Sequence, residues 1–135
     1  MSRSTIANRR SAQFDKELEL RDYSKVALAA SAPEAAIAFP ATKQMTYRCI
    51  VNVGSHTGYV AGTAQWNIAV EASADNVSFK PVGSVATTGA IAGLEIALSG
   101  SSVESVVPNA AYIRVTATKV GAPGNLTYGA FLALS

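Results

Sequence analysis

Short runs of alternating apolar and polar residues, each ended by a turn signal, constrain the fold of this chain most. In the stretch WNIAVEAS, Trp66, Ile68 and Val70 share one side, while Asn67 and Glu71 share the other. A period of two places alternate side chains on opposite faces of a strand. This stretch is therefore predicted to be a half-buried antiparallel strand.

The same pattern recurs along the chain after residue 22. Strands are predicted in SKVALAAS, AAIAFPAT, MTYRCIVNV, YVAGTAQWNIAVEAS, VSFKPVGSV, AIAGLEIALS, AAYIRVTATKV and LTYGAFLAL. Short strands at this spacing with almost no helix predict an all-β fold, with residues 22–135 forming a single β-sandwich of jelly-roll or Greek-key type. Its predicted core consists of Trp66, Ile68, Val70, Leu94, Ile96, Ile113 and Val115.

The N-terminal segment differs in composition from the rest. Residues 1–25 hold ten of the chain's twenty charged residues and few large apolar ones. Such a segment cannot bury enough surface to fold alone. We expect residues 1–21 to form an extended arm, which is either a solvated tail or a segment that becomes ordered on another subunit.

Composition argues against several classes of function. Charged residues make up 15% of the chain, against roughly 25% in a typical domain. The net charge of +2, without clustered basic and aromatic residues, argues against direct nucleic-acid binding. No stretch is long and apolar enough for a membrane span, and no apolar run follows Met1 as in a signal peptide. We therefore expect no membrane partner and synthesis in a cytosol.

The residues that usually carry chemistry are scattered. The single cysteine, Cys49, excludes an internal disulfide and is predicted to be a buried apolar residue. The single histidine, His56, lies in the loop GSHTG, where neighbours in sequence do not make a catalytic triad. A weak calcium site at Asp75 and Asn76 stays open. We expect neither an enzyme nor a cofactor.

Two non-enzymatic functions remain, a carbohydrate-binding module and a structural assembly protein. A sugar-binding sandwich usually displays exposed aromatic rings that stack on sugars. Trp66 alternates in phase with predicted core residues, and Tyr59, Tyr112 and Tyr128 are candidates for exposed rings but form no local cluster. The pattern favours the structural protein.

The stretch WNIAVEASADNVSFKPVGSV, followed by AAYIRVTATKVGAPGNLTYGAFLAL, resembles small virion proteins of tailed bacteriophages. In this pattern a strand ends in Ser-x-Asp, the next contains an aromatic residue and Val-Gly, and a YIRV strand precedes the last one. The resemblance is to capsid decoration, or cement, proteins. It implies a homotrimer on the outer capsid surface that bridges neighbouring subunits of the major capsid protein, after synthesis in the host cytoplasm. Tail and head-fibre sandwiches share the pattern, so that alternative location stays open.

The arm contains the predicted capsid contacts. Guanidinium groups make bidentate contacts with carboxylates, and an aromatic ring can fill a groove as an anchor. The predicted contact residues are Arg3, Arg9, Arg10, Phe14 and Leu18.

Overall fold

A computed structural model describes residues 18–134 of the chain. This part contains nine β-strands and one short α-helix. Their bounds are β1 (Glu19–Arg21), β2 (Ala32–Pro33), β3 (Ile37–Ala38), β4 (Thr46–Val53), β5 (Gln65–Ser73), β6 (Lys80–Ala86), β7 (Ala92–Ser99), α1 (Gly100–Val106), β8 (Tyr112–Val120) and β9 (Tyr128–Leu134). The predicted all-β fold is confirmed. No helix within the described range is long and apolar enough to cross a membrane.

The strands form two antiparallel sheets. The first sheet has the order β1-β9-β4-β7, and the second has the order β2-β8-β5-β6, with β3 also paired to β8. Because Ala32 lies opposite Ala117 and Ile37 opposite Ile113, β2 and β3 lie end to end along β8. They act as one interrupted strand.

The strand pairs are nested in sequence. β5 pairs with β6, β4 with β7, the interrupted strand β2/β3 with β8, and β1 with β9. A chain folded back on itself in this way and wound into two sheets is a jelly roll.

The core lies between the sheets and follows the alternation of the strands. Along β4, Tyr47, Cys49, Val51 and Val53 point inward and are buried. Full burial of one large aliphatic side chain contributes about 1.5–3 kcal/mol. All predicted core residues except Leu94 are buried, and Leu94, near the start of edge strand β7, is half-buried.

The start of the sandwich differs from the predicted boundary. The first sheet begins at Glu19, three residues before residue 22, because β1 pairs with β9. The register shifts between Glu19 and Arg21, and this bulge accompanies the burial of both Leu20 and Arg21. Leu18 also packs against the core.

The predicted strand SKVALAAS is not a strand. Its segment makes one isolated bridge, between Leu28 and Leu126. The reason is topological, since residues 22–31 carry the chain from β1 in the first sheet to β2 in the second.

Helix α1 directly follows β7. Ser99 caps it by accepting a hydrogen bond from the backbone N–H of Ser102, whose hydroxyl accepts in turn from the N–H of Ser99. This reciprocal pair satisfies two backbone donors at the helix start.

The sandwich has two ends, which we name the helix end and the loop end. The register of the strands assigns each connection to one of them. The helix end comprises residues 39–45, 74–79 and 100–111; the loop end comprises residues 22–31, 54–64, 87–91 and 121–127.

Candidate interaction surface

Hydrogen bonds between loops brace the loop end. The His56 N–H donates to the carbonyl of Gly89 at 3.0 Å, and the Gly124 N–H donates to the carbonyl of Thr57 at 2.8 Å. The indole N–H of buried Trp66 donates to the carbonyl of Gly124 at 2.8 Å. Three separate loops are therefore held against one another and against the core.

Both ring nitrogens of His56 have hydrogen-bond partners. Nδ1 lies 3.1 Å from the carbonyl oxygen of Thr57, which can only accept. Nε2 lies 2.7 Å from Thr87 Oγ1 and accepts from that hydroxyl when Nδ1 carries the proton. Thr87 is buried, and its hydroxyl oxygen also accepts from the backbone N–H of Trp66 at 3.2 Å. The histidine thus belongs to the bracing of the loop end.

The carboxylate of Asp75 stabilises the turn between β5 and β6. One oxygen accepts from the N–H groups of Val77 at 2.9 Å and Ser78 at 3.0 Å, and from the Ser73 hydroxyl at 2.9 Å. The backbone hydrogen bonds from Ser78 and Val77 hold the pKa of Asp75 below its usual range. Asn76 follows in the left-handed region, with φ of 63°. Residues 18–134 contain no cluster of three or more His, Cys, Asp or Glu side chains that could hold a metal.

A buried ionic cluster joins the two sheets. Arg21 on β1 lies 2.5 Å from a carboxylate oxygen of Glu34, and Lys25 lies 2.6 Å from the other oxygen. Arg21 also donates to the carbonyls of Tyr128 and Val26, both at 2.9 Å, and its guanidinium lies 4.6 Å from the centre of the Tyr128 ring. Because the backbone N–H of Glu34 bonds to β8, the cluster connects the first sheet to the second.

Burial governs the titration of three core groups. It raises the pKa of the Cys49 thiol to about 12 and that of Tyr47 to about 12. The Tyr47 hydroxyl donates to the carbonyl of Ala41 at 2.9 Å. Burial first, and the Glu34 charge second, raises the pKa of Tyr128, whose hydroxyl has no hydrogen-bond partner in the described part of the chain. The predicted burial of Cys49 is confirmed.

Within residues 18–134, the aromatic side chains do not form an exposed stacking surface. Trp66 is fully buried, as predicted, and Tyr128 is fully buried as well, so the interpretation of Tyr128 as an exposed ring is wrong. Tyr128 belongs to the hydrophobic core, and buried Arg21 covers its ring. Tyr59 and Tyr112 are half-buried.

The exposed large apolar side chains of residues 18–134 gather at the two ends of the sandwich. The most exposed are Val26 at the loop end, 89% exposed, and Met45 at the helix end, 88% exposed. The outer faces of the two sheets between the ends carry none in this range. The full sets are Tyr23, Val26, Val60 and Ile91 at the loop end, and Met45, Val77, Val106 and Leu134 at the helix end.

The helix end also contains an open groove of about 720 Å³. Phe39 and Pro40 contribute apolar surface, and Lys43, Glu104 and Asn109 contribute polar groups. Together with exposed Met45, the groove gives this end a surface of mixed apolar and polar character.

Of the predicted capsid contacts, only Leu18 lies among the described residues, where it packs against the core. Arg3, Arg9, Arg10 and Phe14 lie outside them. The exposed residues at the two ends were missed from the sequence. No signal in the sequence marks Val26 and Met45, because each lies in a run predicted to be a strand, Val26 in SKVALAAS and Met45 in MTYRCIVNV.

These features describe a braced sandwich whose exposed apolar side chains lie at opposite ends. The histidine and the turn carboxylate are both engaged in structural hydrogen bonds. No protein-family model matches this chain, and a search of curated proteins finds no significant match.

Proposed function

We propose that this chain is a structural virion protein that binds the outer surface of a phage capsid and stabilises it by bridging neighbouring major capsid subunits. The observation that carries the proposal is the position of the exposed apolar side chains, which lie at two opposite ends of one rigid domain. A protein that only binds one target needs one such surface. Two separated surfaces suit a bridge.

The dimensions of the sandwich set the span of that bridge. Strand β4 has eight residues, which at about 3.3 Å per residue corresponds to roughly 25 Å between the ends. The braced loops and the ionic cluster hold this span fixed. A rigid span opposes separation of the two subunits that it contacts.

Modest contacts are sufficient for this role. Burial of apolar surface contributes roughly 25 cal/mol per Å² before the cost of association. Repetition over a shell adds avidity, because each bridged subunit keeps the next attachment site close. Val26 and Met45, each almost fully exposed, are the natural anchors.

The proposal includes a non-catalytic role without a cofactor, and residence on the virion after synthesis in the host cytoplasm. It also includes a homotrimer, since a ring of three matches the local threefold positions of a shell and cyclic symmetry is common in small subunits. The alternative is a structural sandwich of the tail or head fibre. Copy number per virion distinguishes the two locations, because a shell protein is present once for each repeat of the capsid lattice.

Two measurements test the function. Quantitative mass spectrometry of purified virions is expected to find hundreds of copies per particle, whereas a handful would favour the tail or fibre. In a binding assay with capsids that lack this protein, Ile91→Asp and Met45→Asp, one at each end, should each weaken attachment by about tenfold, or ~1.4 kcal/mol.

The matched control is Thr118→Asp, which places the same charge on an exposed outer sheet position. It should bind as the unchanged protein does, and all three variants should keep the melting temperature. Unchanged binding by both end variants would contradict the bridge.

A further inference from the structure

Sheet edges need protection, because an unpaired edge offers backbone N–H and C=O groups to another strand. In the described part of the chain, β1 is three residues long and bulged, and β2 and β3 have two residues each, with Pro33 in β2. Strand β6 carries Lys80 and Pro81, and its register shifts beside Val82. These edges are all short, bulged or interrupted by proline.

Strand β7 lacks every one of these devices. It has eight residues, AGLEIALS, with Glu95 as its single charge and no proline. It pairs residue for residue with β4 along its whole length, and β4 is its one strand partner in residues 18–134. Its free edge is therefore long and regular.

The apolar surface beside this edge is incompletely covered. Val82 and Val85 on β6 and Ala92 and Leu94 on β7 pack against the core but stay half-buried. Gly83 lets β6 lie close to β7, since a Cβ atom there would lie 2.5 Å from Ile96 Cγ2. An added strand would extend the ladder and cover this seam.

We infer that the free edge of β7 binds the β7 edge of a second copy of this chain, in antiparallel register about a twofold axis through Ile96. In a continuous sheet, the inward side chains of both copies must lie on the same face. A shift of the pairing by one residue would place the inward side chains of one copy beside the outward side chains of the other. Ile96 opposite Ile96 of the second copy satisfies this condition and places Leu94 opposite Leu98 of that copy.

Charge selects this register over the neighbouring one. An axis through Glu95 would keep the faces aligned but would place two glutamates directly opposite each other, which is unfavourable. With the axis at Ile96, Glu95 lies opposite Ala97 of the second copy, which is small and exposed. The two first sheets, with four strands each, would join into one of eight.

This contact goes beyond the proposed function and uses neither of the two end surfaces. A twofold contact is also separate from the threefold contact of the proposed trimer. Each subunit has one β7 edge, so the contact joins subunits in pairs, and in a trimer each of the three subunits would bind one further copy.

The test uses Ala97, whose side chain lies on the exposed face of β7 opposite Arg48 of its own chain. Ala97→Glu places a carboxylate opposite Glu95 of the second copy, whereas Ala97→Lys places an ammonium group there. Within one chain, Arg48 lies opposite position 97, so glutamate there favours folding and lysine opposes it. An effect on folding and an effect on pairing therefore have opposite signs.

Sedimentation equilibrium of the full chain, up to high micromolar concentration, is the measurement. We expect pairing to be about tenfold weaker in Ala97→Glu and several-fold stronger in Ala97→Lys than in the unchanged protein. At one concentration the mean mass should therefore rise in the order Ala97→Glu, unchanged protein, Ala97→Lys. Equal masses for all three proteins would overturn the inference, whether they are monomers or trimers. Capsid binding is measured in a separate assay, so a failure of the proposed capsid bridge can be distinguished from a failure of the β7 contact.

Disulfide trapping tests the register. A mixture of Glu95→Cys and Ala97→Cys should give a disulfide-linked heterodimer, because position 95 of one copy lies directly opposite position 97 of the other. Neither variant should cross-link with itself, because two copies of the same position lie diagonally across the contact and are too far apart for a disulfide. The native thiol of Cys49 is fully buried. Self-linking of Glu95→Cys, or no linking in the mixture, would overturn the Ile96 register.

Discussion

Arg21 contacts more parts of the molecule than its place in a charged N-terminal segment suggests. It lies on β1, is almost fully buried, and reaches Glu34, Val26 and both the ring and the carbonyl of Tyr128. The sequence predicted an extended arm here, either a solvated tail or a segment ordered on another subunit, because ten charged residues lie in the first 25. Periodicity cannot identify a charge that is buried by a partner 13 residues away.

Glu34→Gln should destabilise the fold strongly. It removes the carboxylate charge opposite buried Arg21, and breaking a buried ion pair from one side costs about 3 kcal/mol or more. Urea denaturation measures the free energy of unfolding. Lys25→Ala is the control, since Lys25 contacts the same carboxylate but is 54% exposed, and its loss should cost at most about 1 kcal/mol. Equal effects of the two substitutions would contradict a dominant role for the Arg21 pair.

At the scale of elements, the long strands were predictable and the short ones were not. Strands β4, β5, β7 and β8 alternate over eight or nine residues, and their positions follow from local periodicity. Strand β9 is a seven-residue apolar run that follows a loop with glycine and proline. Strand β1 has three residues, and its bulge breaks the alternation. Helix α1 has seven residues with several serines, too few for an apolar helical pattern. The end surfaces depend on these short elements.

Gly100 fixes how α1 sits on the segment before β4. A Cβ atom there would lie 2.5 Å from the carbonyl oxygens of Thr42 and Gln44, which are backbone atoms and cannot rotate away. Gly100→Ala should lower the free energy of unfolding by about 1–3 kcal/mol, as overpacking does. Thermal unfolding measures it.

Gly93→Ala on β7 is the matched control for that substitution. The nearest neighbour of its Cβ would be the Asn52 side chain at 3.7 Å, an ordinary contact. The same change of residue should therefore be neutral or slightly stabilising, because glycine in a strand costs entropy. Similar losses at both positions would show that the fit of α1 is not the cause.

At the scale of the whole molecule, the fold class could be predicted but the strand order could not. Composition and turn spacing indicate a sandwich, whereas the nested pairing joins segments that share no local signal. The same holds for the exposed apolar side chains at the two ends, because Val26 and Ile91 reach the same end of the sandwich only through the topology. The arm is the part of the prediction that the structure redefines at its boundary, since β1 starts at Glu19.

Removal of residues 2–17 should separate attachment from folding. The sandwich keeps β1, Leu18 and Arg21, so we expect little change in melting temperature by calorimetry. We expect loss of capsid binding in a pelleting assay, because Arg9, Arg10 and Phe14 are removed. A longer deletion, of residues 2–21, removes Leu20 and Arg21 and should prevent stable folding. Full capsid binding by the shorter truncation would refute the arm as an attachment segment.

The position of β9 has a consequence for how the protein is made. This strand lies between β1 and β4 in the first sheet, so the last residues of the domain complete the middle of a sheet. Arg21 donates to the carbonyl of Tyr128 across 107 residues of chain. Contacts between such distant segments form slowly. On the ribosome, β4 can already pair with β7, but β1 and the other edge of β4 lack their shared partner until β9 leaves the exit tunnel, so the sheet closes only after the domain has been translated.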